Sequence, residues 1–133
     1  MSVAVGIDFQ PFIEVEDSLR TFGERYTRRL YTTVELQGLS SEPHVAARDL
    51  AAIFAAKEAV MKVLQPSDVI PSWLEIEVRR VKDHSASIVL RGAATQLALR
   101  QGISDVAVSL GVARECATAT AVAQKSNRKS KSR

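Results

Sequence analysis

The stretch FAAKEAVMKVL, residues 54–64, is an apolar segment of alanine, valine, leucine, methionine and phenylalanine that Lys57, Glu58 and Lys62 interrupt. It closes a longer run from Val45 to Leu64, about twenty residues of helical pattern, stopped by "QPSDVIPS". On that helix Phe54, Glu58, Met61 and Lys62 share one side, because residues three and four apart are neighbours. Ala47, Ala51, Ala55 and Ala59 form a stripe with almost no side chain, where another backbone can come close. Glu58 stands between that seam and a mixed face. A surface Glu58–Lys62 pair, contributing only about 0.3–0.5 kcal/mol, is one reading of the charges. A carboxylate held there by function is the other.

Working outward, "VAVGIDF" (3–9) reads as a short buried strand ending at Asp8. Pro11 suits the first turn of a helix, and Phe12, Val15, Leu19 and Phe22 recur at helical spacing before Gly23. "ERYTRRLYTTVELQGL" reads as a broken helical region, and "SSEPH" as a loop with Pro43 near a helix start. Downstream, "WLEIEVRRV" (73–81) alternates, with Leu74, Ile76 and Val78 opposite Glu75, Glu77 and Arg79, as in a half-exposed antiparallel strand. "KDHS" is a turn and "ASIVLRG" the return strand. "AATQLALRQGI" is a short helix closed by Gly102, and "DVAVSLGV" and "CATATAVA" are two final strands. The expected class is α+β, a mostly antiparallel sheet packed on one long helix and shorter helices.

At 133 residues the chain is one domain's worth, and 46% apolar with 25% charged residues is ordinary for a soluble globular protein. No run approaches the roughly 18–20 apolar residues of a membrane span, and "MSVAVGIDF" lacks a secretory pattern. A single cysteine, Cys116, fits a reducing compartment and a cytoplasmic location; its alternating strand makes it a small core residue. The last nine residues hold five Lys or Arg, and removing them from the net +3 leaves −2 on residues 1–124. The expected organisation is a domain over 1–124 and a basic disordered tail over 125–133. The body has no basic–aromatic interleaving, so neither nucleic acid nor a membrane is an expected partner.

Asp8 raises the same question as Glu58. A carboxylate at a strand end before a helix is commonly a cap. Two carboxylates from separate elements converging on one spot would instead call for a cation between them. Mg²⁺ takes oxygen ligands, often one or two carboxylates plus substrate phosphates. Spacing alone does not decide whether Asp8 and Glu58 meet.

"GIDF", "RRLYTTVEL", "LAAIFAAKEAVMKVL", "WLEIEV" and "AVSL" together resemble the holo-acyl-carrier-protein synthase family, the small phosphopantetheinyl transferases, in order and spacing from Val3 to Val122. The resemblance implies transfer of 4′-phosphopantetheine from coenzyme A to a serine of an acyl or peptidyl carrier protein, with Mg²⁺. It implies Asp8 and Glu58 as metal ligands, Glu58 and Lys62 as catalytic residues, and Lys57, Lys62 and Ser109 as cofactor-binding residues. It further implies a homotrimer with coenzyme A in a cleft between neighbours, and Ser109 near that cleft.

The chain departs from the family pattern at named positions. The histidine after V-S-I/L falls on Val112, and the arginine before F-A-A-K-E-A falls on Ile53. "KDHSAS" replaces a Gly-x-Pro turn, and a basic position of the first helix falls on Glu14. Each lost basic contact is worth roughly 1.5–3 kcal/mol. Arg28, Arg29, Arg48 and Arg114 are available substitutes, while His44 and His84 are expected to have no catalytic role. An alternative is therefore a non-catalytic member that binds a carrier or synthase partner.

Overall fold

The long alanine-rich run is the axis on which the other elements are laid. A computed structural model describes residues 1–82 and 84–126, with backbone alone at 80–82. The order is β1 (Ser2–Pro11), α1 (Phe12–Phe22), α2 (Glu24–Leu30), α3 (Thr33–Leu36), α4 (Pro43–Leu64), a 3-10 turn (Trp73–Glu75), β2 (Ile76–Lys82), β3 (Ser85–Leu90), α5 (Gly92–Arg100), β4 (Ile103–Ala113) and β5 (Cys116–Lys125). The strands form one five-stranded antiparallel sheet in the order β1-β5-β4-β3-β2. This is the expected α+β class.

The start of α4 is fixed by Glu42, whose carboxylate accepts the His44 and Val45 amides at 3.0 and 3.2 Å, with Pro43 in the first turn. It ends at Gln65, a non-glycine residue in the left-handed region at φ 49°. Ala47, Ala51, Ala55 and Ala59 are all fully buried, and α4 packs on β1 and β5. The facing residues of β5 are Ala117, Ala119, Ala121 and Ala123, also buried. Small residues on both surfaces bring the backbones close. At Gly6 of β1 even a methyl group would collide with the Ala59 carbonyl oxygen and stand 3.0 Å from Lys62 Cβ.

Period-two alternation gives β1 two unlike faces. Gly6 and Gln10 are buried against the helix side, while Val3, Val5, Ile7 and Phe9 are each more than half exposed on the other. The register carries that outer face across the sheet: Val5 pairs with Val122, Ile7 with Thr120, and Thr120 with Ser109.

Several local expectations need correction. β1 runs on to Pro11, so Asp8 lies within the strand and is not a helix cap; Pro11 is its last residue and flanks α1 instead of lying in its first turn. Trp73–Glu75 is a 3-10 turn because Ser72 and Glu75 form a capping box: Ser72 Oγ accepts the Leu74 amide at 3.1 Å and Glu75 Oε1 accepts the Ser72 amide at 3.0 Å. Glu75 Oε2 accepts from the Ala93 amide at 3.1 Å, placing a carboxylate at the start of α5. β2 is not half-exposed at Glu77, which is 2% accessible and held by Arg79 at 2.8 Å and Arg91 at 3.2 Å. Cys116 stands on the outer face of β5, half-buried, and is not a core residue.

Lys125 completes β5, and the Ser126 amide bonds to the Gly102 carbonyl at 3.0 Å. Residues 127–133 of the expected tail, and Asp83 of the expected turn, lie outside the described residues. Among the described residues no helix is long and apolar enough to cross a membrane.

Candidate active site

The close approach of β1 to α4 delivers Asp8 to the helix. Asp8 lies two residues beyond Gly6 and therefore on the same face of the strand. Lys62 reaches across from α4 and donates to Asp8 Oδ1 at 2.9 Å and to the Ile7 carbonyl at 2.7 Å. It thus bonds to β1 in place of the simple surface pair with Glu58. The other Asp8 oxygen, Oδ2, is buried without a hydrogen-bond partner.

Glu58 lies one helical turn before Lys62 and faces the same spot. Burial pushes its carboxyl up, the Asp8 charge pushes it further, and Lys62 only partly offsets this, leaving it at about 7. The more distant charge of Glu14 adds to the rise. Asp8 and the Glu58–Lys62 turn, fifty or more positions apart in sequence, are therefore brought together.

The donor set suits a hard divalent ion. It offers carboxylate oxygens, one of them orphaned and buried. Among the described residues no cluster of three or more His, Cys, Asp or Glu is arranged to hold a metal by itself. Two carboxylates leave the remaining positions to water and to substrate oxygens, which is how Mg²⁺ is usually held.

Lys57 is not brought to this centre. It is fully buried on another side of α4, where its ammonium contacts Glu35 Oε1 at 2.7 Å, the Leu30 carbonyl at 2.6 Å and the Trp73 carbonyl at 2.8 Å. Those three contacts use all of its protons, and none remains for a phosphate. Lys62 has one proton to spare and a side chain 54% exposed. The reason for the difference is the 100° of helix rotation between successive residues. Glu58 and Lys62 lie a turn apart on the β1 side, whereas Lys57 points under α2, α3 and the 3-10 turn.

The partner of Lys57 was missed in the sequence. Glu35 is 5% accessible; besides Lys57 it accepts from the Thr32 amide at 2.8 Å and the Val78 amide at 2.7 Å. Burial pushes the Glu35 carboxyl up and the Lys57 ammonium down, and their ion pair opposes both shifts. The signal was present: Thr32 and Glu35 form a capping box at the start of α3, the T-x-x-E of "TTVE".

Ser109 lies on the outer face of the sheet, opposite Thr120. Asp8 lies on the inner face, opposite Ala119. Within one chain the two are on different sides of the sheet. Of the departures, Ile53 is buried at 4% accessibility and Val112 is 70% exposed. Arg48 lies over the Phe12 ring at 4.7 Å, and Arg28 pairs with Glu24 at 3.0 Å on the surface. His44 pairs with Glu16 at 3.1 Å.

Comparison with known proteins gives the family and the fold. Residues 4–121 match the model of the 4′-phosphopantetheinyl transferase superfamily. The chain is 36% identical over 121 residues to a holo-acyl-carrier-protein synthase of Dehalococcoides mccartyi, covering 90% of this chain and 96% of the relative. It is 38% identical over 117 residues to that of Gloeobacter violaceus, covering 87% and 88%. The solved Chronobacterium ammoniagenes ACPS–CoA complex superposes with a TM-score of 0.81 at 21% identity, over 96% of this chain and 100% of that one, which speaks to the fold. On these grounds the chain belongs to the 4′-phosphopantetheinyl transferase superfamily, among the holo-acyl-carrier-protein synthases.

Proposed function

We propose that the protein transfers 4′-phosphopantetheine from coenzyme A to a serine of an acyl or peptidyl carrier protein, with Asp8, Glu58 and Lys62 as its centre. The observation that carries this reading is the meeting of the Asp8 and Glu58 carboxyls beside Lys62, in a chain of this family. In the step, the serine Oγ bonds to the β-phosphorus of coenzyme A. The bond from that phosphorus to the bridging oxygen breaks, adenosine 3′,5′-bisphosphate leaves, and the serine proton goes to a base.

Glu58, facing Asp8 from α4, is placed to take that proton directly or through a bound water. The uncommitted proton of Lys62 is available to a phosphate oxygen, and Lys62 also holds Asp8 in place. Magnesium bound by Asp8 and Glu58 would supply positive charge to the diphosphate oxygens.

The exposed apolar side chains of β1 support a homotrimer assembled through the outer sheet face, with Ser109 on that face contributing to coenzyme A binding by a neighbour. A cytoplasmic location accords with the free cysteine. The test is to incubate the full chain with coenzyme A, Mg²⁺ and a panel of apo-carriers, then weigh the carriers. A gain of one phosphopantetheine on a carrier, abolished by Glu58→Ala, is expected; no gain on any carrier would overturn the reading.

A second reading, a non-catalytic member that binds a carrier or synthase partner, is favoured by the apolar Ile53 and Val112 at positions that are basic in the family pattern. Calorimetry separates the two. Mg²⁺-dependent coenzyme A binding lost in Glu58→Ala eliminates the second reading, and absence of binding favours it.

A further inference from the structure

Glu77 is an acid on the side of the sheet turned away from the long helix. The register fixes its face: Glu77 pairs with Val89, Arg79 with Ser87 and Ser85 with Ser109, so Glu77, Arg79, Ser85 and Ser87 share the outer face with Ser109. Glu77 is nevertheless 2% accessible, and two arginines from different elements hold it. Arg79 of β2 donates through Nε to Oε2 at 2.8 Å, and Arg91, at the start of α5, donates through Nη1 to Oε1 at 3.2 Å.

A buried carboxylate needs a cation, but one would suffice. Two guanidiniums against one carboxylate leave a positive charge in excess, and their side chains are 49% and 48% exposed. Each commits a single N–H of its five to Glu77, and neither has another side-chain partner among the described residues. Glu75, two residues earlier, is taken up by the Ser72 and Ala93 amides.

Because both arginines bond to one carboxylate, their bonded nitrogens are at most about 8 Å apart. A single tetrahedral anion reaches across that spacing. A carboxylate has two oxygens and satisfies one fork, whereas a phosphomonoester has three terminal oxygens and about two negative charges and accepts from both. Glu77 fixes two long side chains before any ligand arrives, which removes part of the ordering cost of binding.

We propose that Arg79 and Arg91, held by the buried Glu77, form a binding site for a phosphomonoester dianion on the outer face of the sheet. Two small-molecule sources carry this group. One is the 3′-phosphate of coenzyme A, in which case the inference rests on the transferase reading above and deepens it; the other is a free phosphomonoester. β1 and β2 are the two edges of the sheet, four inter-strand spacings or about 19 Å apart. Coenzyme A lying at Asp8 and Glu58 therefore meets this pair only on a neighbouring copy of the chain.

The test uses the full chain labelled with ¹⁵N, with inorganic phosphate at pH 7 as the first probe. The side-chain Nε–H signals of Arg79 and Arg91 should shift together and saturate with phosphate, while chloride at equal ionic strength leaves them in place. Arg91→Lys keeps a cation beside Glu77 but loses the planar fork, and Arg79→Gln leaves Arg91 on Glu77. Each is expected to weaken phosphate binding about tenfold or more. Calorimetry with Mg²⁺ then compares coenzyme A with 3′-dephospho-coenzyme A. A preference for coenzyme A of about tenfold in the native protein, lost in both variants, assigns the phosphate to coenzyme A. With phosphate bound at the pair, no preference, or one unchanged in the variants, assigns the site to a free phosphomonoester.

Absence of the Arg79 and Arg91 shifts, or an equal shift with chloride, overturns the proposal, as does unchanged phosphate affinity in both variants. The native titration decides the matter even where a variant does not fold. If phosphate binds at the pair while coenzyme A does not bind and no carrier is modified, the site stands and the transfer reading fails. If transfer proceeds and phosphate leaves both arginines unmoved, the transfer reading stands and this proposal falls.

Discussion

Gly6 and Ala59 lie so close that a β-carbon on Gly6 would enter the Ala59 carbonyl oxygen. That approach puts Asp8, two residues along the strand, against the turn of α4 that carries Glu58 and Lys62. Gly6→Ala is expected to push β1 off the helix, because the obstacle is backbone and cannot rotate away. Overpacking of this kind costs roughly 1–3 kcal/mol. Urea denaturation should show that loss, and transfer activity should fall by more than the folded fraction alone explains. Native stability in Gly6→Ala would show that the strand and helix are not held this tightly.

The Glu35–Lys57 pair ties α4 to the segments that cover it. Both side chains are inaccessible and 2.7 Å apart. Lys57→Met leaves the Glu35 carboxylate buried without its cation, and removing one partner of such a pair costs about 3–5 kcal/mol. The double variant Lys57→Met/Glu35→Gln should lose clearly less than the sum of the two single losses, because neither charge is then stranded. Chemical denaturation of the four proteins closes the cycle; additive losses would contradict the pairing.

What the sequence revealed, and what it hid, follows from the range of the interactions involved. The long helix, the broken region before it and the hairpins were legible because periodicity and turn residues are local. The alanine stripe correctly announced a close approach. Glu77 misled, since an acid alternating with Ile76 and Val78 looks solvent-facing until Arg79 and Arg91 are seen to enclose it. The strand at 73–75 failed because the Ser72–Glu75 capping box overrode the alternation. Lys57 and Lys62 could be told apart only by what packs over each side of α4, which is a tertiary fact. The meeting of Asp8 with Glu58 lay beyond spacing altogether and was reached through family resemblance.

Glu58 should make stability depend on pH. Its folded carboxyl is raised from 4.5 to about 7, so the native state binds the proton more tightly than the unfolded chain does. The stabilisation is complete below about pH 4.5 and is lost as pH rises through about 7. The site is partly open to solvent, and screening reduces the effect to about 1–2 kcal/mol. In metal-free protein the Tm attributable to this group should fall between pH 5 and pH 8. Subtracting the profile of Glu58→Gln isolates it, and added Mg²⁺ at the upper pH should restore the loss. Superimposable profiles for the two proteins would mean that neither burial nor Asp8 raises the Glu58 carboxyl.

Ile7 separates the two sides of β1 in a single residue. Its carbonyl accepts from Lys62 at 2.7 Å, while its side chain stands 52% exposed on the outer face between Val5 and Phe9. Ile7→Glu therefore changes the outer face and leaves the backbone contact to the centre in place. If copies of this chain assemble through that face, light scattering should show a trimer for the native protein and a monomer for Ile7→Glu. A charge at the middle of an apolar contact costs several kcal/mol, enough to dissociate most modest interfaces. Urea midpoints measured on the dissociated proteins should differ little, because the substituted side chain is about half exposed within the monomer and lies outside its buried core. Transfer activity should drop with the mass, since Ser109 opposite Thr120 could then no longer face a neighbour's Asp8 and Glu58. An unchanged trimer carrying Ile7→Glu would move the interface elsewhere on the molecule and leave the exposed β1 row to some other partner.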